Sequence, residues 1–244
     1  IAAAISVFVI AYFFLGRAPD HRQVAIVQQS ALMTDRSGPG QRLVRQLPDG
    51  TTVHLNSGTT ISYPKNFGGV REVTLTGEAF FEVVHNGKPF VVHAGNADTH
   101  VLGTSFNVKC EQGEDTRITL VEGKVNVIAS TGESLTLEPN EQALVDARSS
   151  ALSKRSVNVL RYVSWKDNVL FFEQTSLGEA VTEIEKWYGV DIDIANPAVR
   201  RCVITAKYDD EPVGNVLGSL QFLLNLKIKR LDNGHYVISG KGCR

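Results

Sequence analysis

Residues 118–137 read ITLVEGKVNVIASTGESLTL, and the pattern in this stretch decides the fold of the middle of the chain. Apolar residues alternate with other residues in three successive runs: Ile118 and Leu120, Val125 and Val127, and Leu135 and Leu137. A period of two is typical of a β-strand that buries one face. The dipeptide Thr131-Gly132, between the second and third runs, indicates a turn.

The same alternation extends outward from this stretch, where Val53 and Leu55, for example, share one face of a predicted strand. Turn signals separate the runs, among them Asp49-Gly50 and Asn86-Gly87, which tolerate positive φ and favour hairpins. No helical pattern interrupts the strands. We therefore expect an all-β domain over residues 42–148, built as a sandwich, a barrel or a related roll.

After about residue 150 the apolar spacing becomes helical. A strand is predicted over residues 169–173, and an amphipathic helix over residues 176–188. Ser176 and Glu179 have the spacing of a capping box, in which each side chain satisfies a free backbone N–H at the start of the helix. Gly189 is well placed to end this helix.

The same pattern returns 36 residues later. Pro212 takes the place of Ser176 and suits the first turn of a helix, and Ile228 takes the place of a strand residue in the first copy. We therefore expect a small α+β domain of two βαβ repeats over residues 164–240, with both helices packed on a small sheet. Residues 149–163, which are rich in serine, are interpreted as a linker.

The chain opens with Ile1–Leu15, IAAAISVFVIAYFFL, a stretch without charge, glycine or proline. A membrane-spanning helix needs about 20 apolar residues. Because the chain begins with Ile and not Met, we expect a transmembrane helix over residues 1–16 that lacks its upstream part, followed by a juxtamembrane connector over residues 17–41. A signal-peptide core is the alternative, although the residues after Leu15 make a poor cleavage site. Either interpretation places the rest of the chain outside the cytoplasm.

Charge and cysteine content bound the class of protein. Lys and Arg number 25 and Asp and Glu number 26, so the net charge of −1 argues against sequence-independent binding of nucleic acid. The three cysteines, Cys110, Cys202 and Cys243, do not have the spacing of metal ligands. A Cys202–Cys243 bridge is one interpretation. Three unpaired cysteines is the one we favour, because a chain of 244 residues can form a core without disulfides.

The sequence offers little ground for catalysis or metal binding. Five of the six histidines are scattered over the first half of the chain: His21, His54, His85, His93 and His100. A metal site would need two or three of them to converge with a carboxylate. The chain has no GxSxG, HExxH or GxGxxG motif and no P-loop. We therefore expect no metal, no cofactor and no catalytic residue, and we rank an enzyme last among the functional hypotheses.

An ordered series of short motifs runs through the middle of the chain: LPDGT at 47–51, VHLNSGT at 53–59, GEAFFEV at 77–83, FVV at 90–92, VLGTSFNV at 101–108, VEGKV at 121–125 and PNEQA at 139–143. In order and spacing this series resembles a FecR domain. The C-terminal part resembles the C-terminal domain of one large group of FecR-type proteins: Trp165, Phe171-Phe172, Leu177 and Trp187-Tyr188-Gly189-Val190 carry the resemblance. Its order of strands and helices is also similar to the secretin/TonB short N-terminal fold.

This resemblance implies the sensor part of an anti-sigma factor that crosses the bacterial inner membrane once. In such a protein a cytoplasmic N-terminal segment holds an extracytoplasmic-function sigma factor. The periplasmic part, here the residues after about 17, senses a loaded TonB-dependent outer-membrane transporter through that transporter's signalling domain. The signal, often passed on by proteolysis, then releases the sigma factor. The imported substrate is a ferric siderophore, haem or a glycan. The resemblance thus implies signal transduction and transcription regulation.

Two surfaces are candidates for binding. Lys227, Lys229 and Arg230 put charge on one predicted strand of the C-terminal domain, and an open strand edge there can accept a strand from a protein partner. Charges of this kind are also typical of edge protection. The alternative function, a cell-envelope glycan-binding module, would use exposed aromatic residues in a β-groove, with these as candidates: Tyr63, Phe67, Phe80 and Phe81.

Overall fold

The computed structural model of the chain describes residues 31–232 and 234–241. Within these two ranges no helix has both the length and the apolar character needed to cross a membrane. The transmembrane helix predicted for residues 1–16 lies outside the described residues.

Thirteen strands of the described chain join in one sheet, the β domain. In chain order these strands are β1 (Leu32–Arg36), β2 (Leu43–Gln46), β3 (Thr52–Leu55), β4 (Thr60–Pro64), β5 (Arg71–Glu82), β6 (Phe90–Ala94), β7 (Ala97–Val101), β8 (Ser105–Cys110), β9 (Thr116–Glu122), β10 (Val125–Ala129), β11 (Ser134–Leu137), β12 (Glu141–Val145) and β13 (Leu152–Ser156). The alternating residues of the sequence are the buried ones, as Ile118 and Leu120 illustrate with 0% exposure.

The long strand β5 divides the sheet into two layers. Its first half pairs with β4 and β6, and its second half pairs with β3 and β8. Gly77 lies at the change of layer with φ of 105°, and a Cβ at this position would lie 2.6 Å from the hydroxyl oxygen of Thr59, so the close approach requires glycine. The two layers make a nearly closed, barrel-like sheet.

One hydrophobic core fills the space between the layers. Phe81 stacks on Phe106 with ring centroids 5.2 Å apart and meets Phe90 of the other layer at 6.1 Å. The all-β prediction for this domain is confirmed. Residues 17–41, predicted to be a connector, contain the strand β1. Most of β1 is exposed, so its pairing with β4, and not an apolar pattern, defines it as a strand.

Asp49 of the LPDGT motif has a structural role. Its carboxylate accepts hydrogen bonds from the backbone N–H and hydroxyl of Thr51 and pairs with Arg71 at 2.7 Å. Arg71 is completely buried, and its guanidinium also donates to three backbone carbonyls of neighbouring loops. Because these bonds compensate for the lost hydration of the ion pair, the motif ties the turn before β3 to the start of β5.

The C-terminal module has a hydrophobic core of its own. Its elements are β14 (Val169–Ser176), a helix α2 (Leu177–Tyr188), β15 (Asp191–Ile194), a 3-10 turn (Pro197–Arg201), β16 (Val203–Asp209), a helix α3 (Val213–Leu223), β17 (Lys227–Asp232) and β18 (His235–Ser239). The predicted capping box is confirmed, since Ser176 Oγ accepts from the Glu179 N–H at 3.3 Å and Glu179 Oε2 accepts from the Ser176 N–H at 3.1 Å. Gly189 ends α2 in the left-handed conformation, with φ of 65°.

The strands of this module form two small sheets, whereas one sheet was predicted. β14 pairs antiparallel with β16, while β18 pairs in parallel with β15 and antiparallel with β17. The prediction of one small sheet is therefore wrong, although each repeat has the predicted order of strand, helix and strand and the α+β class is confirmed. The reason is that β14 and β16, the strands that precede the two repeated helices, pair with each other, which separates β14 from the strand that follows its own helix.

Residues 149–163, predicted to be a linker, contain regular structure. β13 pairs with β12 along five residues, and a short helix α1 (Leu160–Val163) follows it and leads into a 3-10 turn (Ser164–Asp167). The sequence does not reveal β13, because four of its five residues are exposed and pairing alone defines it.

The cysteines differ from the favoured interpretation. Cys110 is a free, buried thiol, and burial raises its pKa. Cys202 is disulfide-bonded, so the interpretation of three unpaired cysteines is wrong. Cys243, the partner considered for it, lies outside the described residues.

Candidate functional site

The outer face of the β domain carries a row of polar side chains across four strands. Asn107 on β8, Thr119 on β9, Gln142 on β12 and Arg155 on β13 are in register. Gln142 Nε2 donates to Thr119 Oγ1 at 2.8 Å, and Arg155 Nη2 donates to Gln142 Oε1 at 2.9 Å. The first three residues are buried although they point away from the core of the domain, so another part of the chain covers them.

The cover is the segment formed by α1 and the 3-10 turn after it. Trp165 Nε1 donates to Asn107 Oδ1 at 3.2 Å, and Asn107 Nδ2 donates to Glu78 Oε1 at 3.0 Å. Asn56 Nδ2 donates to the other oxygen of Glu78 at 2.9 Å. Because Glu78 is only 7% exposed, these amides replace much of the water that its carboxylate would otherwise bind. We call these four hydrogen-bonded residues the polar joint.

A small apolar cluster lies beside the polar joint. Phe80 of the β domain is buried against Val163 and Trp165 of the covering segment, and Trp187 of α2 packs on the same cluster. The cluster is separate from the cores of the two domains. It therefore joins the domains without merging their cores.

A cleft of about 690 Å³ opens beside the polar joint, between the β domain and α2. Lys186 of α2 forms an ion pair with Glu111 and lies 3.9 Å from Glu78, while Lys109 lies 3.5 Å from Glu111. Burial acts to raise the pKa of Glu111, but Lys109 and Lys186 outweigh it, so that this pKa is lowered. Glu111 thus stays charged and holds α2 against the β domain.

Glu183 of α2 lines the same cleft. Burial raises the pKa of Glu183 to about 7, an effect that Lys109 opposes and Glu78 reinforces. The Glu183 side chain is exposed by surface area, and the groups that line the cleft around it displace part of its surrounding water. This carboxyl group therefore changes its charge near neutral pH, in contact with the interface between the domains.

A second contact joins the domains at the C-terminal end of α2, next to Lys186 and Trp187. The loop after β1 brings Gly40, with φ of 66°, so close that a Cβ on it would lie 2.9 Å from the carbonyl carbon of Tyr188. The Arg42 guanidinium lies 3.9 Å from the centre of the Trp187 ring, and its Nε donates to Asn168 Oδ1 at 3.2 Å. The approach of the two backbones requires glycine at position 40.

This arrangement is suited to transmitting movement. The two domains have separate cores and touch through polar and ionic groups and one small apolar cluster. Interfaces of this kind within a chain allow the domains to move relative to each other. Sequence reasoning missed Glu78, Asn107 and Lys186, because polar residues that point away from the core of their own domain are normally solvated. The signal that could have found them is Trp165, since a large indole near a domain boundary needs a surface to cover.

The predicted partner-binding residues lie elsewhere, on β17, an edge strand of the three-stranded sheet. Lys227 and Lys229 are exposed, and neither ammonium group has a hydrogen bond or ion pair with a described residue. Arg230 is engaged with its own strand, where its Nε donates to the backbone oxygen of Asp232 at 3.1 Å. None of the three lines the cleft.

The histidines do not converge. His93 Nδ1 lies 2.7 Å from Asp98 Oδ1, whereas His54, on another strand, lies 3.9 Å from Glu82. Among the described residues, no group of three or more His, Cys, Asp or Glu side chains is placed to hold a metal ion. His21 lies outside these residues.

The aromatic residues considered for a glycan groove are buried or partly buried. Tyr63, Phe80 and Phe81 are buried, and Phe67 is partly buried against the core of the β domain. They are not available as an exposed stacking platform.

Two crystal structures from Parabacteroides distasonis, each described as that of an assigned anti-sigma factor, are similar to this chain. The structure at 2.50 Å resolution is 31% identical and covers 87% of this chain and 100% of its own, with a TM-score of 0.76. The structure at 1.65 Å is 30% identical and covers 86% of this chain and 100% of its own, also with a TM-score of 0.76. Among curated proteins, none matches this chain.

Family models match both domains. The model described as FecR protein matches residues 33–126, and the model described as FecR, C-terminal matches residues 169–238. The order of the two matches is the order of the β domain and the C-terminal module. With the likeness to the solved structures, these matches show that the chain belongs to the FecR family of anti-sigma factors.

Proposed function

We propose that this chain is the extracytoplasmic sensor of a FecR-type anti-sigma factor. It receives a signal from a TonB-dependent outer-membrane transporter, and it passes the signal to an extracytoplasmic-function sigma factor held by a cytoplasmic segment of the protein. The apolar residues 1–16 anchor it in the inner membrane, and the following residues lie in the periplasm. It acts by protein–protein interaction and not by catalysis.

The observation that carries this proposal is the polar contact between two separately cored domains. A partner that binds the C-terminal module can shift it against the β domain without unfolding either of them, because polar interfaces rearrange at lower cost than shared apolar cores. Membership of an anti-sigma factor family supports the sigma factor as the downstream partner.

A calorimetric titration tests the first step. The full chain in a mild detergent is titrated with the signalling domains of co-encoded TonB-dependent transporters. We expect one of them to bind selectively, and we expect deletion of residues 160–244 to abolish binding while the β domain keeps its fold by circular dichroism. Absence of binding to every domain, with both proteins folded, would reject the transporter as partner and lead to glycan arrays as the next test.

A reporter of sigma-dependent transcription tests the relay itself. Lys186→Glu reverses the charge that pairs with Glu111 across the interface, so we expect transporter binding to persist and the response to the transporter's substrate to be lost. Lys124→Glu makes the same charge change at an exposed position outside the interface and should leave the response intact. Equal responses from both variants would contradict transmission through this interface.

A further inference from the structure

The two edge strands of the three-stranded sheet carry opposite charge at equivalent positions of the repeat. β15 reads Asp191-Ile192-Asp193-Ile194, and β17 begins Lys227-Ile228-Lys229-Arg230, 36 residues later. Ile192 and Ile228 are therefore equivalent, and the residues on either side of them are acidic on β15 (Asp191 and Asp193) and basic on β17 (Lys227 and Lys229). The sheet has an acidic edge and a basic edge.

The backbone direction at each edge follows from the pairing with the central strand β18. Ala195 N–H donates to the Ile238 carbonyl at 2.9 Å, so the backbone groups of Ile238 face β15. Ile228 lies opposite Ile238 on the other side, and its own N–H and carbonyl therefore point away from the sheet. Asp191 N–H donates to the Gly234 carbonyl at 2.8 Å, so the backbone of Asp191 faces β18. By the same alternation, the backbone N–H and carbonyl of Ile192 point away from the sheet.

A helix side chain covers each outward N–H, again at equivalent positions of the repeat. Glu185 Oε1 accepts from the Ile192 N–H at 2.8 Å, and Gln221 Oε1 accepts from the Ile228 N–H at 3.2 Å. The bond at the acidic edge is shorter and involves a carboxylate, whereas the bond at the basic edge is longer and involves a neutral amide. Charge-assisted bonds are the stronger class, so the edge of β17 opens more readily than the edge of β15.

The surface around the β17 edge is available for contact. Lys227 and Lys229 lie on one face of the strand, because residues two apart point the same way, and both are exposed. Next to Gln221 in the chain, at the C-terminal end of α3, Phe222 is 87% exposed and Leu223 is 55% exposed. A basic strand edge with exposed apolar side chains nearby favours a partner that is acidic and apolar.

We infer that the edge of β17 accepts a partner strand in which acidic and apolar residues alternate, supplied by the transporter's signalling domain. The incoming backbone displaces Gln221 from the Ile228 N–H, and its acidic side chains meet Lys227 and Lys229. Charge complementarity argues for this strand, and β15 of this chain is an example of the required pattern. The inference rests on the proposed function for the identity of the partner, but its chemistry can be tested alone.

The test is fluorescence anisotropy of the full chain in a mild detergent with a labelled peptide of residues 190–196, VDIDIAN, as the probe. We expect saturable binding that the double variant Lys227→Glu/Lys229→Glu weakens at least about tenfold. The variant Arg200→Glu/Arg201→Glu has the same change in net charge elsewhere in the module and should change affinity less than about twofold. Gln221→Ala exposes the Ile228 N–H and should tighten binding. No binding, or equal loss in both charge variants, would overturn the inference.

The same variants titrated with the transporter's signalling domain separate this inference from the proposed function. If the signalling domain binds the lysine variant as tightly as the original chain, and the peptide does not bind, the strand edge is rejected and the proposed relay is retained. Charge-dependent peptide binding without binding of any transporter domain keeps the edge chemistry and rejects the transporter. Self-association in sedimentation velocity that the lysine variant abolishes would replace the transporter's strand by β15 of a second copy.

Discussion

At the scale of single residues, the polar joint depends on side chains that a strand normally gives to water. Asn107 alternates away from the core of the β domain, yet it is 2% exposed because Trp165 and its segment cover it. Both polar ends of its amide are used, one as an acceptor from Trp165 and one as a donor to Glu78. Loss of either partner leaves a buried polar group without compensation.

Trp165→Phe removes the indole N–H and leaves Asn107 Oδ1 without this donor. We expect the free energy of unfolding to fall by about 1–3 kcal/mol in urea titrations. Trp187→Phe is the control, since Trp187 is half-buried and its ring stacks with Arg42. A control that loses as much stability as Trp165→Phe would contradict a specific role for the hydrogen bond.

Glu183 makes stability depend on pH. Its pKa is about 7 in the folded protein against an ordinary value of 4.5, so the folded state holds the proton more tightly than the unfolded state. The contribution of Glu183 to the free energy of unfolding is therefore fully present below pH 4.5 and is lost as the pH rises through about 7. Glu183→Gln should therefore be more stable than the original chain at pH 8 and equal to it at pH 4. The gain is reduced because part of the side chain is exposed to solvent.

Urea unfolding at the two pH values measures this effect. Glu114→Gln, an exposed carboxyl group that lines the same cleft, is the matched control. A gain that is the same at pH 4 and pH 8 would show that Glu183 acts through packing and not through its charge.

At the scale of elements, the two repeated helices share an architecture and differ in their surroundings. Gly189 and Asn225 occupy equivalent positions after α2 and α3, and both have positive φ, of 65° and 50°. Lys186 of α2 faces the β domain, but its equivalent Phe222 of α3 is 87% exposed. The same repeat therefore gives one helix for the contact within the chain and one helix next to the open edge.

Ser176→Ala removes the N-cap of α2 and leaves the Glu179 N–H without its acceptor. We expect a loss of about 0.5–2 kcal/mol in the free energy of unfolding, measured by thermal or urea denaturation. Thr182→Ala, at an exposed position inside the same helix, should be neutral or slightly stabilising because alanine is the better helix former. The cap would be unimportant if the two variants behaved alike.

At the scale of the whole molecule, two contacts near the C-terminal end of α2 hold the domains together. One is the polar joint with its ion pairs, and the other is the approach of Gly40 to Tyr188. A shift of the C-terminal module must break or bend at least one of them. The contact at Gly40 involves backbone atoms, so a substitution that adds a Cβ at this position tests the contact directly.

Gly40→Ala and Gly58→Ala form a matched pair for this test. Both glycines have positive φ, of 66° and 68°, so both substitutions carry a backbone cost of roughly 1–2 kcal/mol. A Cβ on Gly40 meets the Tyr188 backbone at 2.9 Å, whereas a Cβ on Gly58 meets nothing within 4 Å. Gly40→Ala should therefore cost more stability and speed up hydrogen exchange at Gly189. Equal effects would contradict a close contact in solution.

Local patterns predicted much of this protein. The alternation around Ile118 and Val125 predicted the β domain, because burial of every second side chain is a property of one strand. The capping box of Ser176 and Glu179 predicted the start of α2, since its bonds span three residues. The exposed strands β1 and β13 could not be predicted, because only their pairing defines them.

The sequence by itself determined the β domain, the repeated helices and the family, because periodicity, caps and motif order are all local features of the chain. Only the tertiary structure decided that β14 pairs with β16, that Trp165 covers Asn107 from 58 residues away, and which strand edges stay open. Such contacts depend on how distant surfaces meet, and a residue on the outer face of a strand has the same local pattern whether water or another domain covers it.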